Sequence, residues 1–267
     1  MIYLVENKNY LKNYESVSEE VKHITNSLSR LKILAALHEG PKNMKDLTVD
    51  TGLSYSSISS NMHELELKDY VYRESNRYFL SNSMKLQIEG ILEFEMIVEI
   101  LNQFFNILDK HLVEMIPNQS IAELYLLGKA SLIESNDVDA YRTYNYIENA
   151  LRQAEHVKCV LPFYYENFND LLNSLVESNK SVEAIVFKDI LHVFQKKSKV
   201  KKLSSFSQNN NFLLISTDKV MILGLFKDDG SFDQNRLLTS KNEDSIKWGD
   251  DLFENFKRKI NEFQTHL

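Results

Sequence analysis

Three stretches of this 267-residue chain combine residue types and spacing suited to chemistry. The first is His156-x-Lys158, the opening of a His-x-Lys-x-x-x-x-Asp phosphodiesterase signature in which the imidazole attacks phosphorus. Phe163 stands where the closing acid belongs, and a lone histidine nucleophile organises no phosphoryl transfer. The second is Phe163-Tyr164-Tyr165, directly after an apolar run, with Phe187-Lys188-Asp189 following another such run. Ligands of open α/β sheets sit beyond the carboxyl ends of strands, so Phe163, Tyr164, Tyr165 and Lys188 either line a pocket or complete a core. The third runs from Ser54 to His63 and is rich in serine. Its small hydroxyls, with Asn61 and His63, can approach closely and hydrogen-bond to phosphates or base edges.

Other reactive arrangements are missing. The seven glycines form no Gly-x-Gly-x-x-Gly, no P-loop and no Gly-x-Ser-x-Gly. The seven histidines give no His-x-x-x-His pair, and Cys159 is the single cysteine, so neither a zinc site nor a disulfide is expected. The chain therefore reads as a non-enzyme with no catalytic residue, metal or cofactor, and the lone thiol fits a reducing cytoplasm. Lys196–Lys202 places five lysines in seven residues without an interleaved aromatic, which reads as a solvated edge or loop, with an anion-binding or nucleic-acid-contacting strip as the alternative. No apolar run approaches the roughly 18 residues of a membrane span, and Met1–Asn7 lacks the plan of a signal peptide. The expected location is cytoplasmic, with no membrane partner. The net charge of −7 excludes indiscriminate nucleic-acid binding, so any such role needs a local surface.

The elements that position these residues fall into an α+β winged helix-turn-helix domain, a long linker helix and a C-terminal α/β domain. Residues 1–26 are read as an N-terminal extension. Within 27–82, Ser27 or Ser29 caps a helix that Gly40 stops, and Asn43 caps Met44–Asp50, which Gly52 ends. Ser54 then caps a third helix, Tyr55–Lys68. Tyr70–Glu74 and Arg77–Leu80 flank Ser75-Asn76 as a hairpin. Ile58, Met62 and Leu65 share one face of the third helix, which turns Ser56, Ser59, Ser60 and His63 outward. In a helix-turn-helix protein this helix enters the major groove. The expected DNA surface is Ser54, Tyr55, Ser56, Ser57, Ser59, Ser60, Asn61 and His63, with Arg73, Asn76 and Arg77 on the wing and Lys42 and Lys45 on phosphates. Residues 27–82 hold seven basic and seven acidic side chains, a neutral balance that keeps a protein-docking module open as the alternative.

Across 83–117 a three-four spacing of apolar residues predicts one long helix over 84–116. Its seam of Phe94, Ile97, Leu101, Phe104 and Leu108 is suited to pairing with a second copy, and His111 is its polar exception. Beyond it, 118–267 reads as alternating strands and helices. A hairpin is expected at Ala122–Leu127 and Ala130–Glu134, helices at Asp139–Ala154 and Tyr165–Ser178, and strands at His156–Leu161 and Val182–Phe187. Further strands are expected at Phe212–Ser216, Val220–Phe226 and Arg236–Thr239, before a final helix Glu243–Phe263. Asn209-Asn210-Asn211 reads as a loop.

Ser29–Leu34, Leu47–Ser54 and Leu65–Val71 carry a resemblance: Ser27–Leu80 resembles the winged helix-turn-helix of archaeal regulators of the arsenic-repressor type. Leu213–Ile215, Val220–Phe226, Asp229–Asp233 and Ile246–Phe253, with its Trp248-Gly249-Asp250-Asp251-Leu252-Phe253, resemble the effector domain of archaeal methanogenesis-associated regulators over about 120–262. The domain is also similar to sugar-sensing regulators whose C-terminal half is built like a phospholipase D subunit without its catalysis. These resemblances imply transcription control through double-stranded DNA and an effector domain. The expected protein is a homodimer that answers to a small-molecule or protein effector.

Overall fold

The computed structural model describes residues 10–206 and 212–265, so the expectations for Met1–Asn7 and Asn209–Asn211 lie outside the described residues. The chain forms two compact units, divided between Glu95 and Met96.

The first unit begins with α1 (Tyr10–Thr25), which the sequence reading left inside an extension; it buries Ile24 in the unit's core. Ser27 then caps α2 (Leu28–His38) by accepting the Arg30 N–H at 3.3 Å. Asn43 opens α3 (Met44–Thr51) with a capping box, in which Asp46 answers the Asn43 N–H. Gly52, at φ 68°, ends that helix in the left-handed region that a side chain would oppose. Ser54 caps α4 (Tyr55–Leu67), and β1 (Val71–Glu74) pairs antiparallel with β2 (Arg77–Leu80) through a turn at Ser75-Asn76. Ile33, Leu34, Leu47, Ile58, Met62, Leu65, Val71 and Leu80 fill the space between, joined by Met84 and Ile88 from the start of α5 (Asn82–Gln103). Three helices followed by a hairpin is the arrangement of a winged helix.

The expected helix over 84–116 is corrected here: α5 stops at Gln103. Phe104 leaves helical geometry and buries its ring with Ile100 and Ile107 in the core of the second unit. A single turn, α6 (Phe105–Leu108), and the two-residue strand β3 (His111–Leu112) follow. The proposed seam is therefore divided. Phe104 is core, Ile97 and Leu108 are half-buried against it, and Phe94 and Leu101 are exposed.

The expected hairpin at 122–134 is also corrected. Its first arm is α7 (Asn118–Ala122) and a 3₁₀ turn, Leu124–Leu127, whose end leucines face the core. Only β4 (Ser131–Glu134) is a strand, and it pairs with a distant partner. The remaining elements are α8 (Arg142–Arg152), β5 (His156–Leu161), α9 (Glu166–Glu177), β6 (Ser181–Phe187), α10 (Lys188–Lys197) and β7 (Lys202–Phe206). They are followed by β8 (Phe212–Thr217), β9 (Met221–Lys227), β10 (Arg236–Ser240) and α11 (Glu243–Thr265).

The sheet runs β4-β10-β9-β8-β5-β6-β7, with β3 also paired to β9; β5, β6 and β7 are parallel and the other pairs antiparallel. Both faces are covered, so the central strands are apolar on both sides. Val160, Leu214 and Leu223 face α11, whose Trp248, Leu252, Phe253 and Phe256 are buried among them. Cys159, Leu213 and Ile215 face the other way, onto Ile147 and Leu151 of α8, Phe168 and Leu172 of α9, and Phe194 of α10. The lysine run straddles the end of α10 and the start of edge strand β7, with Lys197 and Lys199 paired to Glu166 and Glu177.

Candidate nucleic-acid interface

Ser54 opens the candidate surface and is committed to its own helix. Its Oγ accepts the Ser57 N–H at 3.2 Å and lies 3.1 Å from Ser56 Oγ. Asn61 is also turned inward, donating through Nδ2 to the Ser57 carbonyl at 2.8 Å, and both it and Ser57 are half-buried. Tyr55, Ser56, Ser59, Ser60 and His63 are exposed, as their phase opposite Ile58, Met62 and Leu65 requires. No acidic residue occurs between Tyr55 and His63, and the next one, Glu64, is ion-paired to Arg30 from α2. The exposed face of α4 thus presents hydroxyls and an imidazole, groups able to hydrogen-bond to phosphates and base edges.

Among the described residues the wing's two arginines have no ion-pair partner. Arg73, Asn76 and Arg77 are exposed on the hairpin, and the Arg73 guanidinium lies 5.5 Å from the centre of the Tyr78 ring. Tyr72 and Phe79 stack at 5.3 Å across the two strands, which stiffens the ribbon. Lys45 is exposed on α3. Lys42 corrects the sequence reading, because it is not free for a phosphate. Its Nζ is 2.6 Å from Asp50 and 3.3 Å from Glu39, and the hydrogen bond to Asp50 above all raises its pKa.

In the second unit, the residues expected at a ligand pocket pack against neighbouring rings. Phe163 lies 4.8 Å from Phe232, Tyr164 5.4 Å from Phe194, and Tyr165 4.6 Å from Phe168. All three belong to the margin of the core on the α8–α10 side, while Lys188 is exposed at the start of α10. His156 is the first residue of β5 and is exposed, and Lys158 is held by Glu254 at 3.0 Å and Asp250 at 3.8 Å. The Trp248–Phe253 run is a packing device. The Trp248 indole donates to the Ser120 carbonyl at 2.8 Å, and Ser216 Oγ donates to Asp250 at 2.7 Å. A side chain at Gly249 would place its Cβ 2.6 Å from Met221 Cγ, so only glycine lets α11 approach β9 this closely. Among the described residues no cluster of three or more His, Cys, Asp or Glu could hold a metal, and no helix is long and apolar enough to cross a membrane.

A winged helix followed by a three-layer α/β unit defines the class. Residues 18–102 match the family model of the N-terminal domain of the methanogenesis regulatory protein FilR1, and residues 140–259 match that of its middle domain. Together they span more than half of the chain, which belongs to this family of regulatory proteins. The curated FilR1 of Methanothrix harundinacea (strain 6Ac) is 19% identical over 261 residues, an alignment covering 91% of this chain and 58% of the relative. The chain thus spans little more than half of that relative's length. Among solved structures, TrmBL2, described as an archaeal chromatin protein with a novel mode of DNA binding, aligns at 12% identity. It covers 90% of this chain and 96% of its own at a TM-score of 0.38. Nuc, a phospholipase D family member from Salmonella typhimurium, aligns at 11% identity over 49% of this chain and 93% of its own, at a TM-score of 0.36. Neither score is high enough to fix the fold by likeness.

Proposed function

We propose that this protein is a homodimeric, cytoplasmic transcription regulator whose arsenic-repressor-type winged helix binds double-stranded DNA. Its C-terminal α/β unit, phospholipase-D-like but without the catalytic set, senses an effector. The observation that carries the DNA reading is the acid-free exposed end of α4, Tyr55–His63, in one unit with the free arginines Arg73 and Arg77. Tyr55, Ser56, Ser59, Ser60 and His63 meet base edges and phosphates, Arg73, Asn76 and Arg77 meet the flanking backbone, and Lys45 adds a phosphate contact. Ser54, Ser57 and Asn61 hold the helix end in shape. The partner copy covers the exposed apolar stripe of α5, made by Phe94, Val98 and Leu101, and spaces two half-sites.

Mapping cross-linked DNA across the native genome tests this reading. Discrete enriched sites with paired half-sites are expected, and a profile indistinguishable from input DNA would overturn it. A protein-docking winged helix is the second reading, favoured by the exposure of Val49 on α3 and Leu67 on α4, at 74% and 71%.

A further inference from the structure

The lysines that close α10 and open β7 differ in what holds them. Lys197 turns toward α9, where its Nζ is 2.9 Å from Glu166 and is also drawn by Asp170, and Lys199 is ion-paired to Glu177. Lys202 lines a cavity with Glu183, Asp218 and Asp250. These three are compensated. Lys196 and Lys201 are exposed and have no ion-pair partner within 4 Å among the described residues.

Lys196 belongs to a longer pattern. Lys188, His192 and Lys196 are spaced by four residues, so they lie within about 80° of one another on α10, and Gln195 shares their side. All four are exposed, while Phe194 anchors the opposite side in the core. The strip runs about 12 Å along the helix. Lys188 is likewise without an ion-pair partner among the described residues, and Asp189 is the only acid of α10. Three free ammonium groups, on Lys188, Lys196 and Lys201, therefore stand beside one uncommitted carboxylate. No large apolar side chain is exposed on α10. A protein interface needs an apolar or aromatic centre, which the strip does not offer. A phosphate backbone needs only spaced cations and hydrogen-bond donors.

We infer that this strip is a second DNA-contacting surface, in which Lys188, Lys196 and Lys201 meet phosphates of a duplex and His192 and Gln195 add hydrogen bonds. Such contacts hold the duplex without reading its sequence. The inference rests on the reading of the protein as a DNA-binding regulator and extends the contact to its second unit.

Anisotropy of a labelled random-sequence duplex, titrated with the full chain at several salt concentrations, tests the strip. Lys188→Gln with Lys196→Gln should weaken binding about tenfold and flatten the dependence of log affinity on log salt by about two units. Both lysines are exposed, so the variant keeps the fold, which its circular dichroism checks. Lys129→Gln with Lys241→Gln removes the same charge from other exposed sites of the second unit and should leave both quantities as in the wild type. An equal change in that control would overturn the inference, because net charge alone would account for it. An unchanged slope in the α10 variant would overturn it too, and would leave the strip to an acidic protein. If Arg73→Ala with Arg77→Ala loses the duplex while the α10 variant keeps it, the strip alone is removed. A wild-type chain that binds no duplex would remove the DNA reading itself, and the strip with it.

Discussion

Cys159 lies in the middle of β5 with no exposed surface, and burial pushes its thiol up to about 12. At neutral pH it is a small apolar side chain, not a nucleophile. The native protein should give no reaction with a thiol reagent, and one equivalent after unfolding in urea; rapid labelling of the native state would mean that β5 opens. Gly249 gives the opposite kind of prediction. Alanine at an ordinary helical glycine stabilises by up to ~1 kcal/mol. Here the added methyl must displace Met221, which is fully buried. Overpacking of this kind costs ~1–3 kcal/mol, so Gly249→Ala should lower the urea midpoint. A raised midpoint would show that Met221 yields freely. At this scale the sequence was legible wherever the partner was near in the chain. Asn43 and Ser54 announce their caps because the groups they bond lie two or three residues on. Lys42 was misread because Asp50 reaches it only once α3 has formed. The contact of His111 with Asp233 was invisible because the two lie 122 residues apart.

Apolar periodicity located most helices and strands but not where a helix ends. The spacing that runs through Phe94 and Leu101 continues into Phe104 and Leu108, yet α5 stops at Gln103, because the sheet offers Phe104 a buried position. Leu124 and Leu127 are three residues apart, a period that serves a 3₁₀ turn, and Gly128-Lys129 imitates a hairpin tip. α1 was missed because only Ile24 of its described side chains is buried, too little for an amphipathic pattern. The exposed stripe on α5 carries its own expectation. Val98→Glu with Leu101→Glu would set like charges facing one another across a paired helix, so light scattering should report a monomer at micromolar concentration. A persisting dimer would place the interface elsewhere.

For the whole molecule, the net charge of −7 constrains the proposed binding to DNA. Glu39 and Asp50 neutralise Lys42, and Arg30 is occupied by Glu64, which removes two cations from a stretch, 27–82, whose basic and acidic side chains already balance. Binding should therefore rely on a matched site and weaken steeply as salt rises. Arg73→Ala with Arg77→Ala should reduce affinity for all sequences and flatten the dependence on log salt by about one unit per lost phosphate contact. An unchanged slope would show that the wing does not touch the backbone. Trp248 has a consequence of another kind. It is the chain's single tryptophan, it has no exposed surface, and it lies on the buried face of α11 in the second unit. Its emission should be blue-shifted in the native state and so serves as a built-in optical label for that unit alone, while the first unit is silent when tyrosine is not excited. Comparing a melting curve followed by this emission with one followed by helical ellipticity would reveal, without any added dye, whether the two units come apart together or in turn.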